Sequence, residues 1–81
     1  MNDVLIVFSS VTTANRVRNV IKKNMNINSE IVQTPAALAL KSCGFSIVFD
    51  EKNLEKVWNF VLKSGLSTGG AFRISDLSRI K

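Results

Sequence analysis

Histidine is absent from this chain of 81 residues, and cysteine occurs only once, as Cys43. These two shortages exclude histidine acid–base catalysis, a Ser-His-Asp triad, a Cys-His pair, a zinc site built from Cys and His, and an internal disulfide. The six acidic residues show no paired arrangement typical of a carboxylate-dyad hydrolase. Most ordinary enzyme classes are therefore excluded, and we expect no metal and no cofactor.

Proline and glycine are also scarce, with one and four residues, while hydrophobic residues make up 46% and charged residues 21% of the chain. This composition is typical of a globular domain and not of a disordered or collagen-like chain. A chain of this length buries only about 60% of its unfolded surface, which leaves nothing for a second core. The sequence therefore predicts one domain over residues 1–81.

Long apolar runs are missing as well. The run at residues 4–8 is too short for a secretory or transmembrane segment, and no basic leader precedes it. A single thiol without a partner is more typical of a reducing compartment than of secretion. We therefore expect a cytoplasmic protein without membrane attachment.

Charge is unbalanced, since 11 Lys and Arg residues against 6 Asp and Glu give a net charge of +5 at pH 7. The resulting field attracts acidic partners, whether nucleic acid, an acidic protein surface or an anionic metabolite. A basic, solvated surface with no ligand explains the same charge. Charge alone therefore does not choose among these partners.

Hydrophobic periodicity divides the chain into six elements. Apolar residues at three- and four-residue spacing predict two amphipathic helices. Strict alternation in the third strand places Phe45, Ile47 and Phe49 on one face, towards the helices, and Ser46 and Val48 on the other. We predict strands at 4–8, 27–33, 45–49 and 71–74, helices at 12–25 and 50–65, and a polar tail at 75–81.

Each predicted helix carries a single apolar stripe, which in the second helix consists of Leu54, Val57, Trp58, Val61 and Leu62. Two such helices and a sheet with one strongly apolar face form a two-layer sandwich. The βαββαβ order and the preference for right-handed crossovers then favour a ferredoxin-like α+β fold. In this fold the four-stranded sheet is antiparallel and both helices lie on one face.

Cys43 is the one side chain whose nucleophilic chemistry is partly exposed at neutral pH, since an ordinary thiol has a pKa of about 8.5. It stands between Ser42 and Gly44, after a short predicted helical turn and before a strand, so we expect it at a loop-to-strand junction. Lys41 could stabilise a thiolate, whereas a position at a helix C-terminus would oppose the anion. A lone cysteine is also commonly a small buried hydrophobic residue, so composition leaves both interpretations open.

Several short motifs follow one another along nearly the whole chain. They are Phe8-Ser9-Ser10 at the end of the first strand, Ala14 in the following helix, Thr34-Pro35, Ser42-Cys43-Gly44, Phe49, and the helical run Leu54-Glu55-Lys56-Val57. This order resembles the selenium/sulfur carrier protein-like family of small stand-alone proteins. The resemblance implies that Cys43 carries sulfur or selenium, that Gly44 completes the Cys-Gly pair, and that Thr34 and Pro35 shape the loop.

The resemblance also implies a carrier more than an enzyme with its own substrate. A Cys43 thiolate would accept a persulfide sulfur, or its selenium equivalent, from a protein donor such as a cysteine desulfurase and pass it to an acceptor. One cysteine suffices for such a relay, whereas a disulfide oxidoreductase usually requires a second, resolving thiol. The supporting loop then consists of Thr34, Pro35, Lys41, Ser42 and Gly44.

A candidate partner surface lies on the two helices. The first helix carries Arg16, Arg18, Lys22 and Lys23, which could attract an acidic partner or an anionic sulfur species, although exposed helices are commonly basic without a ligand. Phe60 lies off the apolar stripe of the second helix, where an exposed aromatic residue could anchor a partner. Edge strands are compatible with pairing between copies, so a homodimer stays open.

The main alternative is a small basic module that binds nucleic acid or an acidic protein without covalent chemistry. The RNA-recognition fold shares the ferredoxin-like scaffold, but it stacks bases on exposed aromatic residues of its central strands. Here the phenylalanines of the predicted 45–49 strand share the face that the helices cover, and no RNP-like motif is present. Nucleic acid is therefore not the expected partner.

Overall fold

The computed structural model describes residues 3–34, 44–66 and 68–80. Within these ranges the order of strands and α-helices is the predicted βαββαβ order. The elements are β1 (Asp3–Phe8), α1 (Val11–Met25), β2 (Glu30–Gln33), β3 (Phe45–Asp50), a 3₁₀ turn (Glu51–Asn53), α2 (Leu54–Lys63) and β4 (Gly70–Arg73).

The four strands form one sheet in the order β2-β3-β1-β4, and every neighbouring pair is antiparallel. The central pair is in register over its full length, with Ile6 opposite Ile47 on β3 and opposite Ala71 on β4. The prediction of an antiparallel four-stranded sheet in an α+β fold is confirmed.

One face of the sheet forms the core with both helices. Because successive side chains alternate between faces, Val4, Ile6 and Phe8 of β1 share this face with Ile47 and Phe49 of β3. The helices cover it with buried residues of their own, which are Ala14, Val17, Ile21, Leu54, Val57 and Val61. Complete burial of each large aliphatic residue contributes about 1.5–3 kcal/mol to stability. We call the other side of the sheet the helix-free face.

Short polar contacts set the ends of the helices. The Ser10 hydroxyl oxygen accepts the Thr13 N–H at 3.2 Å, which caps α1. The helix predicted at 50–65 begins with a 3₁₀ turn, which Asp50 caps by accepting the Lys52 N–H at 3.0 Å, and α2 follows this turn. Gly65 follows α2 in the left-handed conformation with φ 69°, which glycine adopts without steric cost at a helix C-terminus.

One strand boundary and one side-chain assignment also differ clearly from the structure. The predicted strand at 27–33 begins only at Glu30, because Ile27 is buried against the core and its N–H bonds back to the Ile21 carbonyl at the end of α1. Leu62, predicted to lie in the apolar stripe of α2, is 59% exposed.

The segment after β4, predicted as a polar tail, turns back along the outer edge of that strand. The Arg73 N–H donates to the Ser78 carbonyl at 2.9 Å, and the Ile80 N–H donates to the Ala71 carbonyl at 2.8 Å. Ile80 also packs against the core, which explains why the segment returns to the sheet.

Strand direction gives the sheet two distinct ends. The Gly44 end is where β1 and β2 finish and where β3 and β4 begin. The Asp3 end is the opposite one, where β1 and β2 begin. Neither described helix has the length and apolar composition needed to span a membrane.

Candidate functional site

The predicted cysteine loop joins β2 to β3 at the Gly44 end. Its residues Pro35, Lys41, Ser42 and Cys43 lie outside the described residues. Thr34 and Gly44 are described and form the base of this connection, so the site can be built from its two fixed ends.

Thr34 and Gly44 continue the ladder between β2 and β3 by one more pair. The Thr34 N–H donates to the Gly44 carbonyl oxygen at 2.9 Å, next to the paired residues Gln33 and Phe45. The two ends of segment 35–43 are therefore held side by side by a backbone hydrogen bond.

A buried hydroxyl pair lies directly beneath this base. Thr34 Oγ1 and Ser46 Oγ share a hydrogen bond of 2.8 Å, and the two residues are only 6% and 0% exposed. Alternation along the strands places both side chains on the helix-free face. Ser46 is thus on the predicted face but is buried, and its hydroxyl tolerates burial because it has a partner that the sequence pattern does not reveal.

Gly44 occupies a position with no room for a side chain. A Cβ atom built there would lie 2.9 Å from the Phe8 carbonyl oxygen and 3.2 Å from Thr34 Oγ1. The carbonyl belongs to the central strand and cannot move away without breaking the sheet. The glycine after the cysteine is therefore required by close packing against β1.

The Gly44 end also holds the beginning of α1. Phe8 ends β1 at this end and leads through Ser9 and Ser10 into the helix. The first turn of α1 contains no acidic residue, so the positive end of the helix dipole is not offset there.

The predicted basic surface of α1 is divided by its position along the helix. Arg16 lies in the first half of α1, whereas Lys22 and Lys23 lie in its last turn, at the Asp3 end. Arg18 reaches in the same direction, because its Nε–H donates to the Ser29 carbonyl at 3.1 Å. Only Arg16 of this set is therefore on the half of α1 nearer to Gly44.

Phe60, predicted as an exposed aromatic residue, is instead half-buried and packs against the hydrophobic core. Its ring extends the core beyond the residues of the α2 stripe.

A hollow of about 760 Å³ opens at the Asp3 end and is lined by, among others, Asp3, Glu30, Asp50 and Lys52. It lies at the opposite end of the sheet from Gly44 and is separate from the candidate site. Within the described ranges, no group of three His, Cys, Asp or Glu side chains is placed to hold a metal ion.

The model of the family described as "Putative Se/S carrier protein-like" matches residues 3–73. The chain belongs to this family. The match extends from β1 to the end of β4 and includes Thr34, Cys43 and Gly44. Comparison with curated proteins and with solved structures gives no significant match.

Proposed function

We propose that this family member carries sulfur or selenium on Cys43, receiving it from a donor protein and passing it to an acceptor. The observation that carries the proposal is the family match, which spans the Cys43-Gly44 pair. A cysteine desulfurase is the class of donor whose chemistry fits, because its product is a protein-bound persulfide. A reducing compartment such as the cytoplasm would keep the thiol available between transfers.

The transfer requires no external oxidant. The Cys43 thiolate attacks the outer sulfur of the donor persulfide, and a new S–S bond forms on Cys43 Sγ. The donor's own S–S bond breaks, and its electron pair leaves on the donor cysteine as a thiolate. The outer sulfur keeps its proton or loses it to water, so atoms and charge balance. A thiolate on the acceptor repeats the same attack on the Cys43 persulfide.

The geometry of the loop base supports a carrier whose cysteine is attached at a fixed point of the sheet. Cys43 is bonded to Gly44, which is fixed by the Thr34 N–H at 2.9 Å and by its contact with the Phe8 carbonyl. The cysteine is thereby tethered to the Gly44 end. The rate of sulfur exchange depends mainly on the fraction of the thiol that is ionised and on access to it. It does not require a histidine, and the chain has none.

A loading and discharge assay tests the proposal. The protein is incubated with a cysteine desulfurase and cysteine, and its intact mass is measured before and after reductant. We expect a gain of one sulfur atom that reductant removes and that Cys43→Ser abolishes. Absence of any gain in the native chain, with the desulfurase shown to be active on a control acceptor, would contradict the proposal.

The alternative of a binding module without covalent chemistry has a different signature. Phe49 is buried in the core and Phe45 packs against it, while Phe72, on the helix-free face, is half-buried with Arg79 5.9 Å from its ring centre. No row of exposed aromatic residues is therefore formed by these strands. Tight, salt-dependent binding to RNA or DNA that Cys43→Ser leaves unchanged would favour the alternative.

A further inference from the structure

The acidic side chains are confined to one end of the domain. Three of the six stand at the strand ends that form the Asp3 end, and the others lie in the 3₁₀ turn, the first turn of α2 and the turn after β4. They are Asp3, Glu30, Asp50, Glu51, Glu55 and Asp76. Because β1 and β2 begin where β3 and β4 end, these positions, scattered in the sequence, meet at the Asp3 end.

Basic residues are distributed differently. The Asp3 end also holds six cations, which offset the six carboxylates, and Arg73 bonds to Glu51 at 3.2 Å. They are Arg18, Lys22, Lys23, Lys52, Lys56 and Arg73. Towards the Gly44 end lie Arg16, in the first half of α1, and Lys63, the last residue of α2, and both are exposed. In the sequence Lys41 stands two positions before Cys43.

Distance keeps the carboxylates from cancelling this charge. The five steps from Asp3 to Phe8 along β1 span roughly 17 Å at about 3.3 Å per residue. The Debye length at physiological ionic strength is about 8 Å. The Gly44 end therefore has a positive potential from its own cations and from the beginning of α1.

We propose that the Gly44 end is the docking surface for a protein partner that carries carboxylates around its own sulfur-bearing cysteine. The inference rests on the proposed carrier function and adds the chemistry of the partner. Charge complementarity favours the orientation that brings the two sulfur atoms together, since the opposite end, where carboxylates and cations balance, offers such a partner no net attraction. The residues that carry this docking are Arg16 and Lys63, and not the basic last turn of α1.

Two peptides that differ only in charge test the docking without any sulfur transfer. Each contains one cysteine activated as a 2-thiopyridyl disulfide, flanked by Asp in one peptide and by Asn in the other. Cys43 attacks the peptide sulfur, thiopyridone leaves, and its absorbance reports the rate. We expect the Asp peptide to react severalfold faster at low salt, and the difference to vanish at high salt. Equal rates at low salt would overturn the proposal.

Charge variants locate the surface. Arg16→Gln and Lys63→Gln are expected to reduce the preference for the Asp peptide, while Lys22→Gln and Lys23→Gln are the matched controls that leave it unchanged. Equal loss from both pairs would show a general effect of net charge and would contradict a local surface.

The rates at which anionic iodoacetate and neutral iodoacetamide alkylate Cys43 show whether this end attracts small anions. A preference for iodoacetate without one for the Asp peptide would assign this end to a free anionic species and overturn protein docking.

These results are independent of the loading assay. Failure of the desulfurase to load Cys43 would contradict the carrier function while leaving the peptide preference intact. Loading without a peptide preference would contradict only the docking surface.

Discussion

Thr34 and Gly44 are joined by a backbone hydrogen bond of 2.9 Å from the Thr34 N–H to the Gly44 carbonyl, and they enclose the nine residues that contain Cys43. The same threonine bonds through its hydroxyl to Ser46 at 2.8 Å. Thr34 therefore fixes both the backbone at the base of the loop and the buried polar pair beneath it. A rigid base of this kind holds the attachment point of the cysteine on the central strands of the sheet.

Gly44→Ala is expected to lower the free energy of unfolding by about 1–3 kcal/mol, the usual cost of an added methyl group in a packed site. The added Cβ would meet the Phe8 carbonyl oxygen at 2.9 Å, and that backbone atom cannot yield. Urea unfolding measures the change. Gly65→Asn is the control, because a Cβ added at Gly65 would meet no atom within 4 Å apart from its neighbours in the chain, and asparagine tolerates the left-handed conformation. Native-like stability of Gly44→Ala would contradict the close packing.

Thr34→Val and Ser46→Ala should each destabilise the fold by about 1–3 kcal/mol, because each leaves a buried hydroxyl without its partner. The double variant should cost less than the sum of the two, with a coupling energy of about 1 kcal/mol. Denaturant titration of the native chain, the two single variants and the double variant gives the free energies of unfolding for this double-mutant cycle. Strict additivity would show that the 2.8 Å contact contributes nothing to stability.

Neighbouring residues of α2 should respond in opposite ways to truncation. Val61 is 0% exposed and Leu62 is 59% exposed, so Val61→Ala should cost about 2 kcal/mol and Leu62→Ala less than about 0.5 kcal/mol. Thermal or urea unfolding distinguishes them. A larger loss from Leu62→Ala would mean that α2 is rotated relative to the structure.

Asp76 should titrate below its ordinary value of 3.8, because the Ser78 side chain and then the Ser78 N–H bond to the ionised carboxylate and lower its pKa. A lowered pKa means that this small contribution to stability is present at neutral pH and is lost as the pH falls through the pKa of the folded state. An NMR titration of the carboxyl carbon measures it. Ser78→Ala should raise the pKa of Asp76 part of the way back to 3.8. An unchanged pKa in that variant would contradict the assigned cause.

The order of the elements and the faces of the sheet could be predicted from the sequence because both follow from local periodicity. The alternation that placed Ile47 and Phe49 towards the helices describes a property of consecutive residues. The cap that Ser10 forms on α1 and the turn at Gly65 are local in the same sense, since each depends on residues nearby in the chain.

Features that depend on strand pairing could not be predicted in this way. The bond between Thr34 and Ser46 joins residues 12 positions apart, and it exists only in the register that β2 and β3 adopt. The return of the chain to β4 through Ile80 and the half-burial of Phe60 depend likewise on tertiary packing. The gathering of all acidic side chains at the Asp3 end requires the directions of all four strands.

The most direct test of the carrier role is to locate the added sulfur. The desulfurase-treated protein is alkylated, digested without reductant, and sequenced by tandem mass spectrometry, so that each added sulfur atom is assigned to one residue. The carrier role predicts an alkylated persulfide on Cys43 that disappears when an acceptor thiol is added before alkylation. An unmodified Cys43 peptide at full recovery, after treatment with an active desulfurase, would contradict it.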